Sequence, residues 1–144
     1  MRAAVLWEHN NPLEIEDVQF DHPDSKEVLI NTKASGVCHS DLHHVEGKMK
    51  SSLPLLLGHE GSGIVESVGP DVTYVKPGDR GVACSASFCG AGFNCLRGRP
   101  FSCSSRSDLS RPIYMKPRVS IDGTLVNQLY NMGSFSDQML VHEL

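Results

Sequence analysis

Alternating apolar and polar residues in the first third of the chain predict extended strands. Three segments carry this pattern, at residues 2–7, 13–20 and 27–34. The last alternates most clearly, with Val28 and Ile30 on one face and Leu29 on the other. The stretch Asp-His-Pro-Asp-Ser before it has the composition of a turn. The pattern therefore predicts that the fold begins as a sheet.

The rest of the chain predicts short strands separated by turns, with few helices. We expect extended pieces at residues 64–70, 72–75, 81–83 and 134–141, and a brief polar helix at residues 40–46. Residues 85–105 contain three cysteines and three glycines without sustained periodicity. This composition predicts an irregular loop that needs a stabilising element of its own. Together these segments predict a mainly β fold, an irregular and partly open β-barrel with a few short helices.

Size and charge exclude several functional classes. The chain has 144 residues, enough for one domain with a real core, and a formal net charge of -4, which gives no electrostatic case for nucleic acid. Its apolar runs are only a few residues long, too short for a membrane span or a signal peptide. We therefore expect a cytoplasmic protein whose five cysteines stay reduced and serve as metal or reactive groups.

A possible metal site is indicated by Cys38 and by the pair His59-Glu60. Cysteine and histidine suit zinc, and a site with fewer than four protein ligands leaves room for water or substrate. Glycines flank both positions, as a compact site with close backbone approach requires. Each residue also has an ordinary reading, since free cysteine is often a small buried hydrophobe and Glu60 could be a surface carboxylate.

Residues near Cys38 could support chemistry at such a site. Asp41 could hold the second nitrogen of a metal-bound imidazole, and Ser40 and His43 could pass a substrate proton to solvent. The ordinary alternatives are a helix N-cap for Ser40 and a solvated helix face for His43 or His44. Spacing alone leaves both readings open.

Four motifs together resemble a known family. They are Gly-Val-Cys-His-Ser-Asp at residues 36–41, the pattern Gly-His-Glu-x2-Gly-x5-Gly-x2-Val at 58–72, Val-Lys-Pro-Gly-Asp-Arg at 75–80, and Gly-Ser-Phe-Ser at 133–136. The combination resembles the N-terminal, GroES-like catalytic domain of zinc-dependent medium-chain alcohol dehydrogenases, over nearly the whole chain. The resemblance implies a zinc- and NAD(P)-dependent oxidoreductase that transfers hydride between an alcohol and an aldehyde.

The resemblance also implies a role for individual residues. Those with an implied role are the catalytic-zinc residues Cys38, His59 and Glu60, the relay residues Ser40 and His43, Asp41 as the group that holds His59, His39 at the cofactor pyrophosphate, and Met49 and Ser85 in the substrate pocket. A small alcohol or aldehyde is the implied substrate, and a homo-oligomer is the expected assembly.

The chain departs from the family pattern in two ways. The family's structural-zinc lobe has four cysteines, and here its positions within residues 85–105 are Cys89, Gly92, Cys95 and Cys103. A three-thiolate site is weakened, and Cys84, in an expected strand that could face the core, is the remaining source of sulfur. The nucleotide-binding Rossmann domain and a further cysteine ligand for the catalytic zinc also lie outside residues 1–144. We therefore expect a truncated catalytic domain that is inactive alone and binds zinc weakly.

The sequence is also compatible with two alternatives. One is a metal-free relative of the quinone-reductase type, although such a site needs neither Cys38 nor the His59-Glu60 pair. The other is a GroES-like binding or assembly module, whose exposed apolar surface would promote association.

Overall fold

Strands dominate the computed structural model, which describes residues 1–112 and 114–144. Its strands are β1 (Arg2–Leu6), β2 (Glu14–Asp17), β3 (Gln19–Phe20), β4 (Glu27–Ser35), β5 (Leu55–Leu56), β6 (Gly61–Val68), β7 (Arg80–Val82), β8 (Val119–Ile121), β9 (Thr124–Leu125), β10 (Asn127–Gln128) and β11 (Gln138–His142). Its helices are α1 (His39–Val45), α2 (Phe93–Leu96) and 3-10 turns at Pro100–Ser102, Arg106–Leu109 and Leu129–Asn131. No helix in the described part of the chain has both the length and the apolar character that a membrane crossing requires.

These strands form three sheets. Their orders are β10-β5-β1-β2, β11-β4-β6-β7 and β3-β8-β9, and β10–β5 is a parallel pair in an otherwise antiparallel arrangement. The sheets of the described residues do not join into a closed barrel. The prediction of a mainly β, partly open barrel is therefore confirmed.

The pairing of β4 with β6 positions the candidate site. It runs from Val28 opposite Val68 to Ser35 opposite Gly61. The end of β4 therefore lies beside the start of β6. As a result, the turn that follows β4 and carries Cys38 comes next to the turn that precedes β6 and carries His59.

Helix α1 packs against an apolar cluster. Leu6, Leu55, Leu57 and Leu129 are buried together, and the partly buried Val45 of α1 packs against them. A helix of seven residues is too short to be stable alone, so this packing holds it in place.

A buried ionic cluster ties the segment that follows residue 105 to the central sheet. Glu27, the first residue of β4, accepts hydrogen bonds from the guanidinium groups of Arg111 and Arg118. Arg111 also pairs with Asp21 at 2.6 Å. Burial opposes ionisation of Glu27, but the bonds from Arg111, the Asp24 backbone and Arg118 outweigh it, so the pKa of Glu27 is lowered.

The structure corrects four local expectations. Residues 72–75 form no strand, and the expected strand at 13–20 is interrupted at Val18, which is buried between β2 and β3. Helix α1 begins one residue earlier than expected and its N-cap is Cys38, so Ser40 lies inside the helix. Cys84 is exposed and lies beyond the end of β7, so it neither belongs to a strand nor faces the core.

Candidate functional site

The first candidate site consists of Cys38, His59 and Glu60. One ligand atom from each lies within 4.8 Å of the others. Cys38 and His59 are half-buried and Glu60 is exposed, so the cluster is accessible from the protein surface. A thiol, an imidazole and a carboxylate are all zinc ligands, and three protein ligands leave a fourth position for water or substrate. The donor set and its spacing therefore fit a catalytic zinc ion.

Asp41 joins the two turns that supply these ligands. Its Oδ2 accepts the Cys38 backbone N–H at 3.0 Å, and its Oδ1 accepts the Gly58 backbone N–H at 3.1 Å. The same Oδ1 lies 3.1 Å from His59 Nδ1. Because an ionised carboxylate only accepts hydrogen bonds, Nδ1 must donate, and the neutral ring then keeps its lone pair on Nε2. Asp41 therefore orients His59 with Nε2 free to bind a metal.

The turn before His59 is packed against the segment that precedes β11. The Ser134 N–H donates to the Gly58 carbonyl and the Phe135 N–H to the Leu57 carbonyl, both at 3.0 Å. Gly58 has φ +92°, and a Cβ there would lie 2.4 Å from Ser134 Oγ. This position therefore requires glycine for its backbone conformation and for the close approach. The Gly-Ser-Phe-Ser motif thus acts as the support for His59.

Ser40 contacts two of the three zinc-ligand candidates, Cys38 and His59. Its Oγ lies 3.2 Å from His59 Nε2. A hydrogen bond from the Ser40 side chain is the main cause that lowers the pKa of Cys38, with further bonds from the Ser40 backbone and His59. The lowered pKa favours the thiolate, the form that binds metal. Burial disfavours a charged His59, but the attraction of Asp41 and the bond with Cys38 outweigh it and raise the pKa of His59.

His43 and His39 are two further predicted site residues, and both belong to α1. Among the described residues, the hydrogen bonds include none between Ser40 and His43, whose Nδ1 faces Glu46 Oε2 at 3.7 Å. The relay through His43 therefore stays a prediction. His39 is exposed at the start of α1, with its ring 4.6 Å from that of His43, and its cofactor role stays a prediction too.

The substrate-pocket roles of Met49 and Ser85 also remain untested. A cavity of about 520 Å³ lies against β4, β6, β7 and β11, and neither residue lines it. Met49 is exposed just beyond α1, and Ser85 is half-buried beyond β7. Both roles therefore rest on the resemblance alone.

Tyr130 also lies at the site, although the sequence did not indicate it. Its ring meets the His59 ring edge-on at 5.4 Å and the His44 ring at 6.2 Å, and it also lines the 520 Å³ cavity. Its backbone has φ +49°, which is uncommon for a residue other than glycine. No sequence periodicity indicates this position. Tyr130 lies in the turn at Leu129–Asn131, where its left-handed backbone conformation occurs, so the contact is known only from the structure.

The second candidate site is the cysteine lobe at residues 85–105. Cys89, Cys95 and Cys103 have their sulfur atoms within 4.8 Å of one another, and Cys84 is not part of the cluster. Backbone N–H groups of Ala91 and Gly92 lower the pKa of Cys89 to about 7. Burial raises the pKa of Cys95. The structure thus assembles the three predicted cysteines, with Gly92 beside Cys89.

Known proteins resemble this chain in sequence and in fold. An alcohol dehydrogenase from Moraxella sp. (strain TAE123) is 47% identical over 111 residues, which are 75% of this chain and 33% of that protein. The chain thus spans about a third of that curated relative.

Solved structures of alcohol dehydrogenase type also resemble this chain. A zinc-binding domain protein of the alcohol dehydrogenase type from Burkholderia ambifaria is 30% identical with a TM-score of 0.88, covering 99% of this chain and 40% of that one. Benzyl alcohol dehydrogenase from Acinetobacter calcoaceticus is 32% identical with a TM-score of 0.84, covering 99% and 39%. The family model for the alcohol dehydrogenase GroES-like domain matches residues 24–143. The chain therefore belongs to the alcohol dehydrogenase GroES-like domain family.

Proposed function

We propose that this chain is the zinc- and alcohol-binding domain of an NAD(P)-linked alcohol dehydrogenase that interconverts small alcohols and aldehydes. The observation that carries this proposal is the convergence of Cys38, His59 and Glu60, with Asp41 holding the imidazole. Membership of the family supports an oxidoreductase. The benzyl alcohol dehydrogenase among the similar structures favours a primary alcohol as substrate.

Zinc bound by Cys38, His59 and Glu60 would act as a Lewis acid that lowers the pKa of an alcohol. The chain's own residues prepare the site for it. Asp41 keeps the Nε2 lone pair of His59 directed toward Cys38 and Ser40. Ser40 Oγ, within hydrogen-bond reach of this nitrogen, is placed to accept the proton of an alcohol that enters the cluster.

Hydride transfer needs a second part in this proposal. The nicotinamide cofactor carries that chemistry, and it is usually bound by a parallel βαβ unit with a glycine-rich turn. The strands of the described residues form no such unit. We therefore infer that residues 1–144 bind alcohol but do not oxidise it without a nucleotide-binding domain. One similar structure, 29% identical with a TM-score of 0.71, is an NAD-dependent alcohol dehydrogenase.

Metal binding by matched cysteine variants tests the proposal. In a Cys95→Ser background, which weakens the second site, we expect about one zinc ion per chain when the chain is titrated with zinc at equilibrium. Adding Cys38→Ser should remove this zinc. Adding Cys84→Ser instead should leave it, because Cys84 is exposed and outside both clusters. Ser also suits the N-cap position of residue 38, so loss of zinc would not reflect loss of the helix.

A second readout reports on the alcohol. With Co²⁺ in the same Cys95→Ser chain, benzyl alcohol should change the visible d–d spectrum if it reaches the metal. Equal zinc content with and without Cys38→Ser would refute the proposed site. Absence of zinc from the parent would favour the two alternatives, a metal-free relative or an assembly module.

The expected homo-oligomer and the cytoplasmic location stay predictions. Large apolar side chains are exposed at Val82, Phe93, Leu96 and Phe101, which favours association at high concentration. Light scattering that shows only monomer at high concentration would contradict it. The five free thiols suit a reducing compartment such as the cytosol.

A further inference from the structure

The three thiols of the lobe are already spaced as metal ligands. Cys89 Sγ and Cys95 Sγ lie 3.9 Å apart, and Cys103 Sγ accepts the Cys89 backbone N–H at 3.4 Å. A Zn–S length of about 2.3 Å places two sulfurs of a tetrahedral site about 3.8 Å apart. The observed separation of Cys89 and Cys95 matches this value, and Cys103 Sγ lies within 4.8 Å of both, so the three sulfurs are close enough to share one cation.

Gly92 lies beside one of the three sulfurs. A Cβ built on Gly92 would lie 3.3 Å from Cys89 Sγ, so a side chain there would start next to that sulfur. No other heavy atom of the described residues comes within 4 Å of that position, apart from the adjoining backbone. Gly92 has φ -74° and ψ 163°, which any residue can adopt. The backbone therefore does not need glycine here, and its effect is to leave space beside the thiols.

Within the described part of the chain, other residues do not fill this space. Cys84, the remaining cysteine near the lobe, is exposed and outside the cluster. The nearest backbone group, the Gly92 N–H, donates to Cys89 Sγ at 3.3 Å and offers no lone pair to a metal. A cation held by the three thiolates would then have one position for a ligand from solution.

We propose that Cys89, Cys95 and Cys103 bind one thiophilic divalent cation of the zinc type, with an exchangeable fourth ligand in the space beside Gly92. Soft thiolate donors select such cations, and a tetrahedral ion with three protein ligands keeps an open position. The lobe then differs from a closed structural site, because a small thiol or imidazole can enter the coordination sphere. The proposal is independent of the function assigned to the Cys38 cluster.

Co²⁺ is the probe that tests it, because it occupies the same tetrahedral thiolate sites and absorbs visible light. The full chain carries Cys38→Ser, so that sulfur-to-cobalt bands report only on the lobe, and a phosphine keeps the thiols reduced without metal-binding sulfur. We expect one tightly bound Co²⁺, lost in Cys103→Ser. Adding 2-mercaptoethanol should raise the charge-transfer intensity by roughly one third, as three thiolates become four.

Gly92→Cys is the matched variant. Its own thiol should occupy the fourth coordination position, so Co²⁺ should bind about tenfold more tightly or better. Adding 2-mercaptoethanol should then leave the charge-transfer intensity unchanged. If this variant does not fold by circular dichroism, Gly92→Ala replaces it. Its methyl group should keep Co²⁺ binding but reduce the response to the added thiol.

Three results would overturn the proposal. They are no Co²⁺ bound by the parent chain, a parent spectrum that does not respond to 2-mercaptoethanol, and an equal response in the variant at residue 92.

Discussion

Asp41→Asn tests how much the carboxylate of Asp41 contributes to the site, because it leaves the candidate ligands Cys38, His59 and Glu60 unchanged. Asp41 is 3% exposed, and its carboxylate accepts three hydrogen bonds, from Cys38 N–H, Gly58 N–H and His59 Nδ1–H. Asparagine has nearly the same shape but only one acceptor oxygen. If that oxygen serves Gly58 and His59, the new amide N–H₂ faces the Cys38 N–H, and two donors meet.

The magnitude follows from these contacts. One hydrogen bond to a charged group, worth about 1.5–3 kcal/mol, is lost, and the other two lose their charge. We therefore expect the free energy of unfolding of the metal-free chain to fall by about 3 kcal/mol. Zinc affinity at the Cys38 cluster should fall by about 10–100-fold, because a neutral amide oxygen supports the imidazole less strongly than a carboxylate and the Cys38 turn loses its hydrogen bond.

Two measurements on one pair of variants check this. Urea unfolding of the metal-free chain gives the stability change, and competition with a coloured chelator in the Cys95→Ser background gives zinc affinity. The control is Asp122→Asn, at an exposed hairpin turn where the backbone has φ +48° and asparagine is equally suited. It should change stability by less than about 0.5 kcal/mol and leave zinc affinity unchanged. Lower stability with unchanged zinc affinity in Asp41→Asn would show that the carboxylate of Asp41 does not strengthen metal binding at His59 and Cys38.

Two further predictions concern the frame of the site. Glu27→Gln should lower the free energy of unfolding at pH 7 by about 3–5 kcal/mol, because it removes the carboxylate that two buried arginines share and leaves Arg111 with Asp21 alone. The exposed Glu14→Gln should change little. Since the pKa of Glu27 is lowered by folding, its contribution is complete above about pH 5 and is lost as pH falls through the folded-state pKa, so urea midpoints of parent and variant should converge in acid. Gly63→Ala should cost about 1–3 kcal/mol, because its Cβ would lie 2.2 Å from the Asn31 carbonyl oxygen. Gly81→Ala, on the paired residue of β7 with open space around it, is the control, and equal costs in thermal unfolding would contradict the close-packing argument.

Local pattern predicted much of the fold. The strands β1, β4 and β11 lie where alternation placed them. The expected strand at residues 72–75 is wrong because two of its residues pack as partly buried side chains against the core without a neighbouring strand. Periodicity reports burial, and a strand also needs a partner to bond its backbone.

Residue chemistry indicated the candidate site, and the resemblance to the family assigned its residues their roles. Cys38, His59 and Glu60 were predicted as one zinc site, and the structure brings their ligand atoms together. The predicted Asp41–His59 contact is present as well, at 3.1 Å. The spacing of ligands within each turn is local, so the motifs contain it. The N-cap reading of Ser40 depended on where α1 starts, and helix ends are set by local hydrogen bonds that alternation does not report.

The amino-acid sequence by itself therefore determined which chemical groups are available: two sets of zinc-type ligands, the glycines that admit close approach, and the alternation that builds the sheets. Only the tertiary structure decided which of these groups meet. The edge-on contact of Tyr130 with His59, the pairing of Glu27 with two arginines more than 80 residues away, and the open space beside Gly92 all depend on strand pairing and on left-handed turns. Such contacts join residues far apart in the chain, so no local pattern encodes them, and they form only when the buried core fixes the positions of the backbone.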